Sequence, residues 1–423
     1  MFKKNNKTLE SYFFILFALI PASIILGPAI SLANILLIDF SFICLLICTK
    51  EYKFLLNKTV KLILIFYLYL IFNSIISENF SIGVTRNFGF FRLIILFCAF
   101  NYFFYHKVFF NKILIIWTLT LLILTIDTYI ESFTGKNILG YGEMYGNRIV
   151  SFFKDEPIVG GYINAFYLIV IGYLFSLSRK FSSNYKHLIL VVSLFFLCAI
   201  FLTGERSNTI KGFLGFLIFY FFNDQFKIKE KITSILLMFI LIFSLINSSN
   251  YLKIKYKNEL LDPVIEVFKS KDKKKYIKMS QKTTYQALYF ELYQSGFSVF
   301  KDYPFFGVGN KNYRYVTCSE DRNPNYICTT HPHQFYIEFL SEHGFIGTAI
   351  ILFILFSLVF SKLKIILQSK NYIQISCFIF LLISLTPFLP TGAFFADYNL
   401  TIFWLNLSLM YSANNKTNVF SKK

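Results

Sequence analysis

Charge is scarce in this chain, and negative charge scarcest of all. Only 15% of its 423 residues are Asp, Glu, Lys or Arg, and 23 acidic side chains stand against 42 basic ones. That is too little charge to clothe a water-soluble domain of ordinary composition. No internal repeat and no low-complexity tract is present, which excludes a solenoid or a biased tail. The first apolar run, after Lys3, Lys4 and Lys7, lacks a small-residue cleavage site and is followed by more such runs. It therefore reads as a first membrane helix and not as a removed signal. The basic residues form no single patch but are scattered through short loops, which argues against nucleic acid as a partner.

What is abundant is apolar surface. Hydrophobic residues make up 56% of the chain and the mean hydropathy is +0.56. These values predict an all-α polytopic membrane protein embedded in a lipid bilayer. The 55 Phe carry no functional weight, since Phe, Ile, Lys, Asn and Tyr are abundant together, as an AT-rich genome would make them. Membrane-length apolar stretches recur about twelve times. They fall at roughly 12–31, 33–49, 60–78, 89–106, 110–130, 158–177, 187–203, 209–223, 232–249, 343–361, 372–391 and 397–413. The expected organisation is nine helices over 1–249, a large external helical loop over 250–342, and three helices with a cytoplasmic tail over 343–423. Within the loop, residues 283–301 carry helical apolar spacing, and DYPFFGVGN marks a Pro/Gly turn.

The net charge of +19 is topological. With the N-terminus inside, every second loop is cytoplasmic and basic: Lys50/Lys53/Lys58, Lys107/Lys112, Arg179/Lys180/Lys186, Lys227/Lys229/Lys231, Lys362/Lys364/Lys370 and Lys416/Lys422/Lys423. The opposite short loops hold only Arg86, Lys136, Arg148, Lys154 and Arg206. Both termini are thus expected in the cytoplasm. Five of seven Cys lie in apolar spans; Cys318 and Cys328 share the long loop. In an oxidising compartment their natural product is a disulfide. A zinc site with His331 and His333 is the alternative, although the spacing fits no common zinc pattern.

Three polar clusters fall on the external side. The first is Arg206 in FLTGERSN, at the end of a very short loop. Interfacial Arg is by default functional, and its planar fork suits phosphate oxygens. The plainer reading is a pair with Glu205 or an anchor at lipid headgroups. The second is RIVSFFKDEPIVGGY, with Arg148, Lys154, Asp155, Glu156 and the pair Gly160/Gly161. Its plainer reading is an acidic cap on a helix N-terminus. The third is THPHQFYIEFLSEHGFIG, where His331 and His333 flank Pro332 and precede Glu338, Glu342 and His343. Cation, carboxylate and imidazole together suit a lipid-linked anionic donor. Arginines would stabilise departing phosphates in place of a metal, and an imidazole would deprotonate or orient an attacking hydroxyl.

The runs PFFGVGNKNYR and THPHQFYIEFLSEHGFIG, with TGERSN upstream, resemble the signature of the O-antigen ligase and O-antigen polymerase superfamily. The layout of twelve spans with a large external loop before the last three is similar too. The resemblance implies an all-helical fold akin to the C-class integral-membrane glycosyltransferases of the bacterial inner membrane. It implies transfer of a glycan from undecaprenyl pyrophosphate to a hydroxyl, on lipid A-core or on another repeat unit, with no nucleotide sugar, cofactor or metal. It implies Arg206 as the pyrophosphate-binding Arg and His333 as the essential His. Arg314 falls in the segment after the Gly-x-Gly turn and is implied as a further contact. Arg148, Glu156 and His331 complete the expected substrate-binding set. Ligases carry a second Arg on the loop helix; here that stretch is TTYQALYFEL, with Tyr289 near the place, and Lys278, Lys282 or Arg314 are the candidates to replace it. The rival function is a transporter or flippase of lipid-linked glycans. It would line a mid-membrane cavity with its polar residues, and Asp39, inside a span, is the residue that suits it.

Overall fold

The computed structural model of the chain describes residues 7–105, 109–142, 148–154, 156–179, 184–262, 284–387 and 389–421. Among them all regular structure is helical. In chain order the main helices are α1 (Lys7–Ala18), α2 (Ile20–Leu26), α3 (Pro28–Thr49), α4 (Lys58–Ile75), α5 (Phe80–Gly89), α6 (Phe91–Tyr105), α7 (Phe110–Thr134), α8 (Val159–Ser178), α9 (Asn184–Leu202), α10 (Arg206–Phe222) and α11 (Ile228–Ser248). The long loop then supplies a π-helical segment, Lys253–Leu261, followed by α12 (Thr284–Asp302) and α13 (Tyr313–Thr317). The chain closes with α14 (Phe335–Phe360), α15 (Leu363–Ser369), α16 (Tyr372–Ser384) and α17 (Asp397–Ser412).

Each of the twelve expected spans coincides with a helix, but not all are full length. Among the described residues, eight helices are long and apolar enough to cross a membrane, or nine with the pair Thr8–Ala18 and Ile20–Leu26, which meets at 45°. Pro21 sits in the first turn of the second member and explains the bend. The expected span 372–391 stops at Ser384. Pro387, Pro390 and Gly392 cannot continue a helix, so the chain leaves it and runs as an irregular strap to Ala396.

Helix α8 is the centre of the bundle. In its apolar window 83% of residues are buried, against 11% in α11, whose Ile232, Leu236, Phe239, Ile240 and Phe243 face outward. A helix apolar all round belongs in the middle, and an outward aliphatic stripe belongs against lipid tails. Helix α8 packs mainly on α9 and α16, and α16 in turn packs on α17.

The long loop is fastened to the bundle by its own turn. Gly309 (φ +96°) and Gly344 (φ +64°) both adopt left-handed backbone. A Cβ on Gly309 would lie 2.1 Å from Ser77 Cβ, and one on Gly344 would lie 2.3 Å from the Phe305 carbonyl carbon. That closeness lets Val308 N–H donate to Ser341 O (3.0 Å), Gly309 N–H to Glu342 O (2.9 Å) and Phe345 N–H to Pro304 O (2.7 Å). The PFFGVGN turn is therefore a clasp between loop and α14. It positions α12, which packs along α14, over one end of the bundle.

Candidate active site

A cavity of about 960 Å³ opens under α12, between the N-terminal ends of α8, α10 and α17 and the strap that follows α16. Arg206, Arg148, Glu156, His331 and His333 all line it. Arg206 and His333, 127 positions apart by number, share this one space. Arg314 does not: it is exposed on α13, and Lys311 lines the cavity instead. The difference follows from the clasp, which fixes the chain at Asn310 through Asn310 N–H to Asn73 Oδ1 (2.8 Å) just before Lys311.

One wall is built by the loop between α9 and α10. Glu205 does not pair with Arg206. Its carboxylate turns back and accepts N–H bonds from Gly160 (2.7 Å) and Gly161 (3.1 Å) and from Asn208 Nδ2 (2.6 Å). It thereby caps α8, a role the sequence reading gave to the acidic pair at 155–156. Asp155 lies outside the described residues, and Glu156 is exposed and lines the cavity. Gly160 permits this: a Cβ there would lie 2.7 Å from Thr203 Oγ1 and 3.0 Å from Glu205 Cδ. Burial pushes the Glu205 carboxyl up to about 7, opposed by its hydrogen bonds and by Arg148.

Arg206, the first residue of α10, is held by the long loop. Its Nη1 is 3.1 Å from Glu259 Oε2 and donates to the Glu259 carbonyl at 3.3 Å. Lys255 Nζ binds the same carboxylate at 3.1 Å. Both Arg206 and Glu259 line the cavity and are only about one-fifth exposed. A guanidinium in this position is a ready site for an anion that can displace a carboxylate.

The opposite wall is the histidine turn. His333 has φ +57°, a conformation few non-glycine residues adopt. It is held by the strap: Thr391 N–H donates to His333 O (2.8 Å), and Phe335 N–H donates to Thr391 Oγ1 (3.1 Å). Gln334 caps α14 through its side-chain oxygen to Ile337 N–H (2.9 Å), so His333 sits immediately before the helix. The rings of His331 and His333 are 4.1 Å apart, and Tyr289 presents its ring edge-on to His333 at 5.9 Å. Burial holds His333 below its usual range, and burial with the neighbouring His333 and Lys311 brings His331 down to about 4. Both imidazoles are thus neutral at pH 7 and able to accept a proton.

Tyr289, at the place of the absent second Arg, lines the cavity as an aromatic; Lys278 and Lys282 lie outside the described residues. Cys318 and Cys328 are joined by a disulfide. Asp39 is buried in α3 and is not part of the cavity. Sequence reasoning missed Thr391, Tyr398, Glu259 and Lys211. Thr391 and Tyr398 sit at the facing ends of two stretches, 372–391 and 397–413, that read as apolar spans, and Glu259 and Lys211 look like ordinary loop and helix charges.

Residues 191–352 match the family model described as O-Antigen ligase. The matched stretch covers less than half of the chain but includes Arg206, the long loop and the histidine turn. Over that stretch the chain is similar to the O-antigen ligase family. A search of curated proteins finds no match.

Proposed function

We propose, from the likeness of residues 191–352 to the O-antigen ligase family, that this multi-pass membrane protein transfers an oligosaccharide or polysaccharide from undecaprenyl pyrophosphate to an acceptor hydroxyl. The acceptor is lipid A-core for a ligase or another glycan for a polymerase. The observation that carries the reading is the one cavity lined both by a guanidinium suited to phosphate, Arg206, and by an imidazole, His333. The cavity lies on the side that the loop-charge pattern assigns to the exterior, so the protein would work at the periplasmic rim of the inner membrane with both termini inside.

In this mechanism the acceptor oxygen attacks the anomeric carbon and the bond from that carbon to the diphosphate oxygen breaks. The configuration inverts. His333 takes the hydroxyl proton as the new bond forms. Arg206, with Arg148 beside it, holds the diphosphate and neutralises the charge it gains on leaving, the part a divalent metal plays elsewhere. Glu156 and His331 contact the sugars, and Tyr289 offers a stacking face. The donor must displace Glu259 from Arg206, which ties donor arrival to a movement of the Lys253–Leu261 segment. A transporter is disfavoured because Asp39, the isolated intramembrane acid, stays outside the cavity.

The test is a cell lacking this chain, complemented with Arg206→Ala or His333→Ala. Both variants should insert normally yet yield no polymer or ligated product on a glycan gel. Normal ladders from both would remove the assignment. The gel of the null cell also divides the two activities: single-repeat material on core means a lost polymerase, and polymer retained on the lipid carrier means a lost ligase.

A further inference from the structure

Below Arg206 the cavity continues inward along α10. Residues 206, 207, 210 and 211 all line it, one stripe of that helix. Lys211 is therefore five positions deeper than Arg206, about 7.5 Å along the axis toward the middle of the bundle. It is largely enclosed, and no hydrogen-bond acceptor or ion-pair partner reaches it among the described residues. The nearby carboxylates are engaged elsewhere: Glu205 caps α8, and Glu259 holds Arg206. The rest of the inner lining is apolar or neutral, with Phe380, Ile402 and Phe403 beside it. Two more polar atoms of this lining are orphaned, the buried hydroxyl of Tyr398 and Oδ1 of Asn164. Buried polar atoms are nearly always bonded to protein, water or ligand. An unpaired ammonium within a membrane bundle marks the path or seat of an anion.

We propose that Lys211 is the deep phosphate contact of this cavity and holds the tail-bearing phosphate of a lipid diphosphate. The inference rests on the proposed donor class and deepens it. An isoprenoid tail enters the bilayer, so the phosphate that bears the tail lies deepest and the phosphate that bears the sugar lies toward the rim. Arg206 at the mouth meets the sugar-bearing phosphate. Lys211, a compact point charge one and a half turns below, meets the tail-bearing one. Lys211 is a substrate-positioning residue: it fixes depth and leaves the proton transfer to the histidine wall.

The test uses the full chain purified in detergent, with farnesyl diphosphate and farnesyl monophosphate as probes. The wild type should prefer the diphosphate by about tenfold, the value of one charge-assisted bond. Lys211→Met, which keeps length and removes charge, should weaken both probes by about tenfold, because each carries a tail-bearing phosphate. Lys211→Arg should restore both affinities. A Lys211→Met protein that binds both probes as tightly as the wild type overturns the inference. If Lys211→Met fails to fold, Lys211→Gln takes its place with the same expectation. A wild type that binds neither probe sinks both the inference and the proposed donor. Glycan product lost in Arg206→Ala and His333→Ala but undiminished in Lys211→Met sinks the inference alone.

Discussion

On the wall formed by α8 and α10, Glu205 and Arg206 are already matched. Glu205 is spent on three N–H donors, and Arg206 is held by Glu259, itself shared with Lys255. On the second wall His331 Nδ1 is bonded to Thr330 Oγ1 (2.9 Å), whereas His333 is fixed through its backbone by Thr391 and, among the described residues, its ring has ring contacts to Tyr289 and His331 but no hydrogen bond. The first arrangement suits exchange, in which one anion leaves and another takes its place at small net cost. The second suits chemistry, in which a base must keep a free lone pair in a fixed position. Under the proposed function, one wall would bind by replacement and the other would react by vacancy.

The largest expected effect comes from making each wall fail separately. His333→Ala should lower kcat by about 10²- to 10⁴-fold with little change in donor KM, because a lost general base acts only in the transition state. Arg206→Ala should raise donor KM as well as lower kcat, because its contact with the diphosphate exists before and during the reaction. Steady-state kinetics on a lipid-linked donor decides it. A His333→Ala variant altered in KM alone would erase the contrast between the walls.

The pH profile sharpens the same contrast. Burial lowers the pKa of His333, so the neutral, proton-accepting form persists below the ordinary histidine value of about 6.5. Activity should hold as pH falls to that value and drop only as it passes the lower, folded-state pKa. His331 gives a stability counterpart. The unfolded chain takes up a proton near pH 6.5, whereas the folded chain resists until about 4. Stability is therefore full above about 6.5 and declines as pH falls between the two, with a slope of at most about 1.4 kcal/mol per pH unit for one group. Thermal melting of His331→Asn should lose that part of the acid slope. An acid limb of activity centred above pH 6.5 would contradict a desolvated base.

Glu259→Gln tests the exchange wall with a smaller expected change. Removing the competing carboxylate should lower donor KM roughly threefold to tenfold, since a partly exposed ion pair is worth about 1 kcal/mol. A higher KM would mean that Glu259 orders the Lys253–Leu261 segment for the donor and does not compete with it.

These two walls were not equally legible in the sequence. His333 announces itself, because a histidine between Pro332 and an N-capping Gln334 at a loop-to-helix junction has few structural uses. Arg206 is legible too, as a cation at the end of a short external loop. Its partner is not. Glu205 is adjacent in sequence and looks like the natural mate, but its carboxylate is drawn to the open N-terminus of α8, 44 and 45 positions away in sequence. Glu259 sits in a lysine-rich stretch where one acid among many bases carries no signal. The strap after α16 was hidden because Leu381–Leu385 and Ala393–Phe395 read as continuous apolar sequence; only Pro387, Pro390 and Gly392 betray the break. Arg314 misled for the opposite reason. Its place after the Gly-x-Gly turn is right, but the turn is a clasp against Ser77, Asn73 and α14, and it delivers Lys311, not Arg314, to the cavity.

The smallest effect should come from the disulfide. Cys318 and Cys328 close a loop of the lid, and neither lines the cavity. A crosslink of this kind acts by restricting the opened state of its own segment. The neighbouring contacts are separate: Tyr326 OH and Asn323 Nδ2 both bind Asp302 at the end of α12, at 2.5 and 3.0 Å, and Ile327 N–H donates to Ser295 Oγ at 2.9 Å. These bonds hold the loop against α12 whether or not the sulfurs are joined. Cys318→Ser with Cys328→Ser should therefore change kcat less than about twofold and leave bundle melting nearly unmoved, while limited proteolysis between residues 318 and 328 becomes measurably faster. A large loss of activity would instead make the lid's internal order part of how His333 is set against Arg206, and the two walls could no longer be treated as independently built.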